Sequence, residues 1–166
     1  GIISNNGTAD STLYIGDGGG VYTDVLTYAG VIQDGAKKVG VQVQGGATST
    51  REVILTGANT YSGATSVTAG KLTLKSAYLA NGSSVVIGAN GTLNLDYTGT
   101  DTVGALTIGG VAQADGEYGA LSSGAANETA SITGSGRLLV VTPAAGNSSW
   151  ATTNAGGQTA DLDFDG

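Results

Sequence analysis

One short aliphatic phrase keeps returning in this chain: a glycine, a spacer, then two aliphatic residues flanking one small or polar residue. It reads Gly70-Lys71-Leu72-Thr73-Leu74, Gly91-Thr92-Leu93-Asn94-Leu95 and Gly104-Ala105-Leu106-Thr107-Ile108, with a looser copy at Gly136-Arg137-Leu138-Leu139-Val140. A period of two makes one face of a β-strand apolar and leaves the other wet. The phrase therefore predicts many short strands turned by glycine. Val53/Leu55, Leu72/Leu74 and Leu93/Leu95 step by 19 and then 21 residues. Recurrence at about 20 residues marks a stacked repeat.

The same alternation predicts strands at Thr12–Ile15, Val21–Tyr28, Gly30–Gln33 and Val39–Gln44, with turns at Gly16-Asp17-Gly18-Gly19-Gly20 and Asp34-Gly35. Val67 and Val85/Ile87 supply strands between the main ones. From Asp115 to Asn127 the pattern lapses into Ala, Gly and Ser, which predicts a loop or widened turn. Ser131–Val141 restores strand character, and Pro143, which donates no ladder hydrogen bond, ends it. Large apolar residues nowhere take helical spacing; a single helical turn is placed at most around Ser148–Thr153. The chain thus divides into a β-domain over 1–142 and a mostly irregular tail, linker or inter-subunit segment over 143–166.

Two all-β architectures fit. One is a right-handed parallel β-helix (a β-solenoid) of roughly 7 coils at about 20 to 25 residues each. The other is an antiparallel sandwich, whose hairpins would use Asn6-Gly7, Asp34-Gly35, Asn81-Gly82, Asn90-Gly91 and Asp115-Gly116. The steady recurrence favours the solenoid.

Composition narrows the rest. Among 166 residues there are 30 Gly and 1 Pro, with 5% aromatic and 11% charged, so the interior must be built from Ala, Val, Leu and Ile and must be thin. Collagen is excluded by the lone proline and the missing triplet. Net charge is −7, and Lys37, Lys38, Arg51, Lys71, Lys75 and Arg137 are scattered, which excludes a nucleic-acid partner. No apolar run is long enough to span a membrane as a helix. Without Cys there is no disulfide or thiol chemistry. Without Met, Gly1 is expected not to be the translated start, and the chain is expected to be a processed piece of a longer precursor.

At Leu55-Thr56-Gly57-Ala58-Asn59-Thr60-Tyr61-Ser62-Gly63-Ala64-Thr65-Ser66-Val67-Thr68-Ala69-Gly70-Lys71-Leu72-Thr73-Leu74 the chain resembles the autotransporter-associated β-strand repeat, nearly without a break. Leu93–Tyr118 resembles the usual end of such arrays, and Gly30-Val31-Ile32-Gln33-Asp34-Gly35 the opening of a repeat. The resemblance implies a right-handed parallel β-helix in a secreted bacterial surface protein, and it implies no enzymatic activity. The tail from Ser149-Trp150-Ala151 to Asp161-Leu162-Asp163-Phe164-Asp165-Gly166 is similar to the junction that follows these arrays in some secreted bacterial proteins, where a D-x-D-x-D-G segment opens a calcium-binding stretch.

Candidate sites are few. Asp161, Asp163 and Asp165 alternate as the first ligands of a calcium loop do, but the closing bidentate Glu is absent; a solvated acidic tail is the other reading. Catalysis without His or Cys would rest on carboxylates, and Asp10, Asp17, Asp24, Asp34, Asp96, Asp101 and Asp115 sit mostly beside Gly or Thr, as turn residues do. Tyr61, Tyr97 and Tyr118 flank turns, to pack over a corner or to stack on glycans. Asn59 and Asn90 are candidates for an internal amide ladder. A solenoid has two unpaired ends. Self-association is therefore assigned to Gly1, Ile2, Ile3 and Ser4 at one end and to Trp150 and Phe164 in the tail. The expected function is an extracellular structural protein that polymerises end to end into a filament or surface layer; the alternative is an adhesin or carbohydrate-binding stalk.

Overall fold

The computed structural model describes residues 1–17, 19–143, 152–153 and 159–160. Among these residues every regular element is a strand. A first pass of the chain forms β1 (Ile2–Asn5), β2 (Ser11–Ile15) and β3 (Val25–Tyr28). A second forms β4 (Val31–Asp34), β5 (Val39–Val43) and β6 (Glu52–Leu55). The third and fourth are the long bent strands β7 (Thr65–Leu74) and β8 (Ser84–Leu95). The fifth begins with β9 (Thr100–Val103) and β10 (Ala105–Ile108). It leaves through β11 (Val111–Ala112), β12 (Gly116–Gly119) and β13 (Asn127–Glu128) and resumes in β14 (Ile132–Gly134); β15 (Arg137–Val140) then opens a sixth. β16 (Thr152–Thr153) and β17 (Thr159–Ala160) pair with each other.

Each pass lies parallel on the one before. β2, β5, the first half of β7, the first half of β8 and β10 form one parallel sheet column. β3, β6, the second halves of β7 and β8, and β14 form another. β1 lies on β4, Gln33 bridges Thr60, and β15 lies on β9. The in-register stacking aligns identical roles. Leu26, Val53, Leu72, Leu93 and Ile132 form one file, and Ile15, Val43, Val67, Ile87 and Ile108 another. Most of these side chains are fully buried in a single aliphatic core. Each contributes about 1.5–3 kcal/mol of burial before chain entropy is subtracted.

The corner between the halves of β7 is made by Gly70, whose φ of +78° is open to glycine and strained for other residues. A side chain there would also sit 2.6 Å from the Arg51 carbonyl oxygen of the pass below. Outward polar side chains brace neighbouring passes. Thr73 Oγ1 donates to Glu52 Oε1 at 2.5 Å, Asn94 Nδ2 donates to Thr73 Oγ1 at 3.2 Å, and Thr133 Oγ1 donates to Asn94 Oδ1 at 3.0 Å. Lys71 with Glu52, Lys75 with Asp96 and Arg51 with Asp24 add ion pairs across the same seams.

The parallel columns exclude the antiparallel sandwich. Five passes and the start of a sixth lie among the described residues, against the seven expected. The cause is spacing: the first two passes carry long corners, so that Arg51 meets Asp24 27 residues back, whereas Thr73 meets Glu52 across 21. The stretch Asp115–Asn127 is more structured than a loop, because β12 and the start of β13 lie in it. β11 runs antiparallel on β10, and β12 antiparallel on β15. These reversals cover the late end of the core, where Tyr118, Ile132, Leu138 and Val140 are buried.

Candidate functional site

The early end is different. Among the described residues, β1, β2 and β3 each have one parallel partner, in the second pass, and no strand on the other side. In a parallel ladder alternate residues bond to one neighbour. Ser11 N donates to Lys38 O, Gln44 N to Ile15 O, Glu52 N to Asp24 O, Thr56 N to Tyr28 O and Val31 N to Gly1 O. The intervening residues, Ile2 and Ser4, Thr12 and Tyr14, Val25 and Thr27, therefore direct their N–H and C=O groups at an open edge. Inside this edge lies an apolar mouth of about 280 Å³, lined by Ile3, Leu13, Ile15, Leu26, Tyr28 and the tops of Ile32, Val53 and Leu55. Leu26 is 39% exposed, whereas the residues below it in its file are buried. Of the eight large hydrophobic residues exposed among the described residues, five (Ile2, Tyr14, Val21, Val25 and Leu26) belong to this first pass.

Gly1, Ile2, Ile3 and Ser4 lie in the first pass, where β1 pairs with β4 alone among the described residues. Trp150 and Phe164, and the Asp161, Asp163, Asp165 trio, lie outside the described residues.

The carboxylates are engaged one at a time, mostly in turns and seams. Asp17 accepts from Gly19 N at 3.0 Å and Gly20 N at 2.5 Å, and the Tyr22 hydroxyl donates to its other oxygen. The Tyr22 ring in turn stacks under Arg51, 3.8 Å from guanidinium carbon to ring centre. Asp34 accepts from Val39 N, Ser62 N and Ser62 Oγ. Burial pushes its carboxyl up, but these donors together outweigh burial and hold it below its ordinary value. Asp101 is buried, and its Oδ2 accepts from Leu79 N at 2.9 Å; burial raises it. No three metal-ligating side chains gather among the described residues.

The aromatic residues pack inward. Tyr61 is fully buried, its hydroxyl 2.9 Å from Thr65 Oγ1, and burial pushes it up to about 12. Tyr78, not singled out in the sequence, meets Tyr61 edge-on at 6.3 Å. Tyr118 is buried with its hydroxyl on Ala114 O. The buried hydroxyl of Tyr97 faces no hydrogen-bond partner among the described residues. These rings are corner packing and form no sugar platform. Nor do Asn59 and Asn90 form a ladder: Asn59 is buried, accepts from Ile32 N and donates to Gly57 O, whereas Asn90 is exposed and sits opposite Ala69. A second surface feature is an open groove of about 520 Å³ on the outer face of the first column, where Asp10, Thr12, Tyr14 and Lys38 meet Ser62 and Ser84.

The described residues are all-β, with parallel ladders joining successive passes. Residues 51–74 match the family model of the passenger-associated-transport-repeat, so the chain carries a repeat of the autotransporter-associated kind there. That match covers β6 and β7, the seam where the registers Val53↔Leu72 and Leu55↔Leu74 are set. The repeat implies a surface or secreted protein. No curated protein and no solved structure matches the chain. No helix among the described residues is long and apolar enough to cross a membrane.

Proposed function

We propose that the five passes are windings of a β-solenoid and that the chain is a structural segment of a bacterial autotransporter passenger, a stalk that holds or spaces other elements at the cell surface. The observation that carries this is the coincidence of the matched repeat at 51–74 with continuous parallel register from the first pass to the fifth. Windings that touch only their neighbours can be added or removed without redesigning the rest. A spacer needs that property, and a closed active site does not. We assign the chain no catalytic step: its sequence has neither His nor Cys, and its described carboxylates are tied into turns and seams. An end-to-end filament needs two complementary open ends, and among the described residues the late end is covered by the reversed strands β11 and β12.

Deletion of one register repeat tests the solenoid. Removing Leu72–Thr92 joins Lys71 to Leu93, which occupy successive positions in the same register. The shortened protein is expected to fold cooperatively with a smaller denaturant m-value, in proportion to the surface removed. An unfolded product, set against a folded parent, refutes the winding architecture. Loss of surface exposure of the precursor's distal elements on deletion of the whole segment tests the stalk role.

The outer groove favours a second reading, glycan recognition along the stalk, because exposed Tyr14 stands beside Asp10, Lys38 and a run of hydroxyls. Glycan-array binding lost in Tyr14→Ala supports it; absence of any binding at millimolar glycan removes it.

A further inference from the structure

The sequence holds three Asn-Gly pairs, Asn6-Gly7, Asn81-Gly82 and Asn90-Gly91, and none of them turns a hairpin in this fold. Such a pair can react with itself, because the glycine nitrogen has no neighbouring side chain to shield it from the asparagine carboxamide. The fold gives the three pairs different surroundings. Asn90 and Gly91 lie inside β8, in register with Ala69 and Gly70. Gly91 is buried, and a methyl group on it would sit 2.0 Å from the Val67 carbonyl oxygen. The ladder fixes the main-chain rotation at Asn90 that ring closure would need. At Asn6-Gly7 the nitrogen is occupied, since Gly7 N donates to Asn5 Oδ1 at 3.0 Å. Asn81 and Gly82 are instead the two central residues of a β-turn closed by Ser83 N on Ala80 O at 2.8 Å. Both are exposed, and nothing lies within 4 Å of the place a Gly82 side chain would take. Among the described residues neither the Asn81 carboxamide nor the Gly82 N–H has a hydrogen-bond partner.

We propose that Asn81-Gly82 is a self-modifying site, at which the folded chain deamidates in water ahead of its other two Asn-Gly pairs. The main-chain nitrogen of Gly82 attacks Cγ of Asn81. A bond forms between them, the bond from Cγ to Nδ2 breaks, and Nδ2 leaves as ammonia with the proton given up by Gly82 N. The product is a cyclic imide. Water, the one co-reactant, then opens it, and no electrons change hands. Addition at Cγ breaks the new bond and gives aspartate. Addition at the main-chain carbonyl carbon of Asn81 breaks the original peptide C–N bond and gives isoaspartate, whose chain runs on through Cβ. Either product carries one carboxylate more than the parent, at the rim of the outer groove that Gly82 lines together with Lys38. The isoaspartyl product also lengthens the main chain by a methylene group directly ahead of β8, where Ser83 O receives the Gly104 N–H of the next pass at 2.8 Å. The inference uses the turn and its seam alone and is independent of the stalk role.

Timed incubation of the full chain in neutral buffer, followed by digestion and peptide mapping by liquid chromatography and mass spectrometry, tests it. The peptide holding Asn81 is expected to convert first, with isoaspartate in excess over aspartate, the mark of ring opening as opposed to direct hydrolysis. Asn6 is expected to lag roughly 2–10-fold, the change that the net strength of one hydrogen bond allows. Asn90 is expected to lag at least ~10-fold, because its ring can close only when the strands around it part. In urea the three pairs lose their different surroundings, and their rates are expected to converge. Gly82→Ala places a methyl group in open space and so keeps the fold, yet it is expected to slow Asn81 at least ~10-fold, since a Cβ screens the nitrogen and narrows its main-chain rotations. Four results overturn the inference: Asn6 or Asn90 converting as fast as Asn81 in the folded chain, aspartate formed without isoaspartate, a Gly82→Ala chain that converts like the parent, or an Asn81 that stays intact while the same residue converts in urea.

Discussion

Four glycines divide the cost of glycine in this fold into torsion and contact. Gly70 has both demands: φ +78° and a virtual side chain 2.6 Å from the Arg51 carbonyl oxygen. Gly99 has the torsion alone, φ +107° with nothing within 4 Å. Gly88 has the contact alone, its virtual side chain 2.8 Å from Thr68 O in the neighbouring pass and no positive φ. Gly82 has neither. A left-handed backbone costs alanine roughly 1–2 kcal/mol. Pushing a seam apart to admit a methyl group costs roughly 1–3 kcal/mol in hydrogen bonds and packing. Gly99→Ala is therefore expected to lose ~1–2 kcal/mol, Gly88→Ala ~1–3 and Gly70→Ala about the sum, ~2–5, since the two terms act on different coordinates of the chain. Gly82→Ala is expected to be neutral or to gain ~0.4–1 kcal/mol by restricting the unfolded chain. Urea unfolding followed by far-ultraviolet circular dichroism gives all four values on one scale. A Gly70→Ala protein within about 0.5 kcal/mol of the parent, the spread of an ordinary surface change, would refute the claim that this glycine holds the corner closed.

Three further outcomes follow from the core and its seams. Leu72→Ala, in the middle of a buried file, is expected to cost ~2–5 kcal/mol by denaturant unfolding, whereas the same change at half-exposed Leu26 costs less. Asp34 is held below its ordinary value in the fold, so its contribution is present above the unfolded carboxylate range and lost as pH falls through the lower folded value; the parent is expected to lose stability on acidification more steeply than Asp34→Asn, measured as the unfolding midpoint from pH 6 to pH 2. Asp101 is raised by burial and so is destabilising when ionised, with relief as pH falls; Asp101→Asn, which keeps an acceptor for Leu79 N, is expected to hold or gain stability at neutral pH, and Asp101→Leu to lose ~1–3 kcal/mol through the unpaired amide.

Strand positions and the central seam could be read from the amino acids because period two and glycine punctuation are local. Val53/Leu55, Leu72/Leu74 and Leu93/Leu95, stepping by about 20, do lie on one another in register. The other two copies of the phrase mislead. Leu106 and Ile108 stack on Val85 and Ile87 in the other column, and Leu138 and Val140 stack on Asp101 and Val103. The phrase encodes a turn followed by an in-out-in strand, and each parallel column needs one, so it cannot say which column. The true successor of Leu93 is Ile132, hidden by the excursion through β11, β12 and β13. β12 carries no strand signal in the sequence, because Gly116-Glu117-Tyr118-Gly119 offers one apolar residue and no alternation. The apolar mouth beneath the first pass has no local signal in the sequence. That Leu13, Ile15 and Leu26 line it depends on which strands lack a neighbour, a fact of pairing that no single residue carries.

The seams also set the order in which the molecule comes apart. In a protein of these 166 residues each inner pass is held on both sides, the latest is covered by β11 and β12, and the earliest is held by the second pass alone among the described residues. Fraying therefore starts at β1–β3 and travels one layer at a time, like a spring unhooked at one end. Amide protons of Leu13 and Leu26 should trade with deuterium first and those of Leu72 and Leu93 last, so the exchange record of a single chain would read out its layers in sequence.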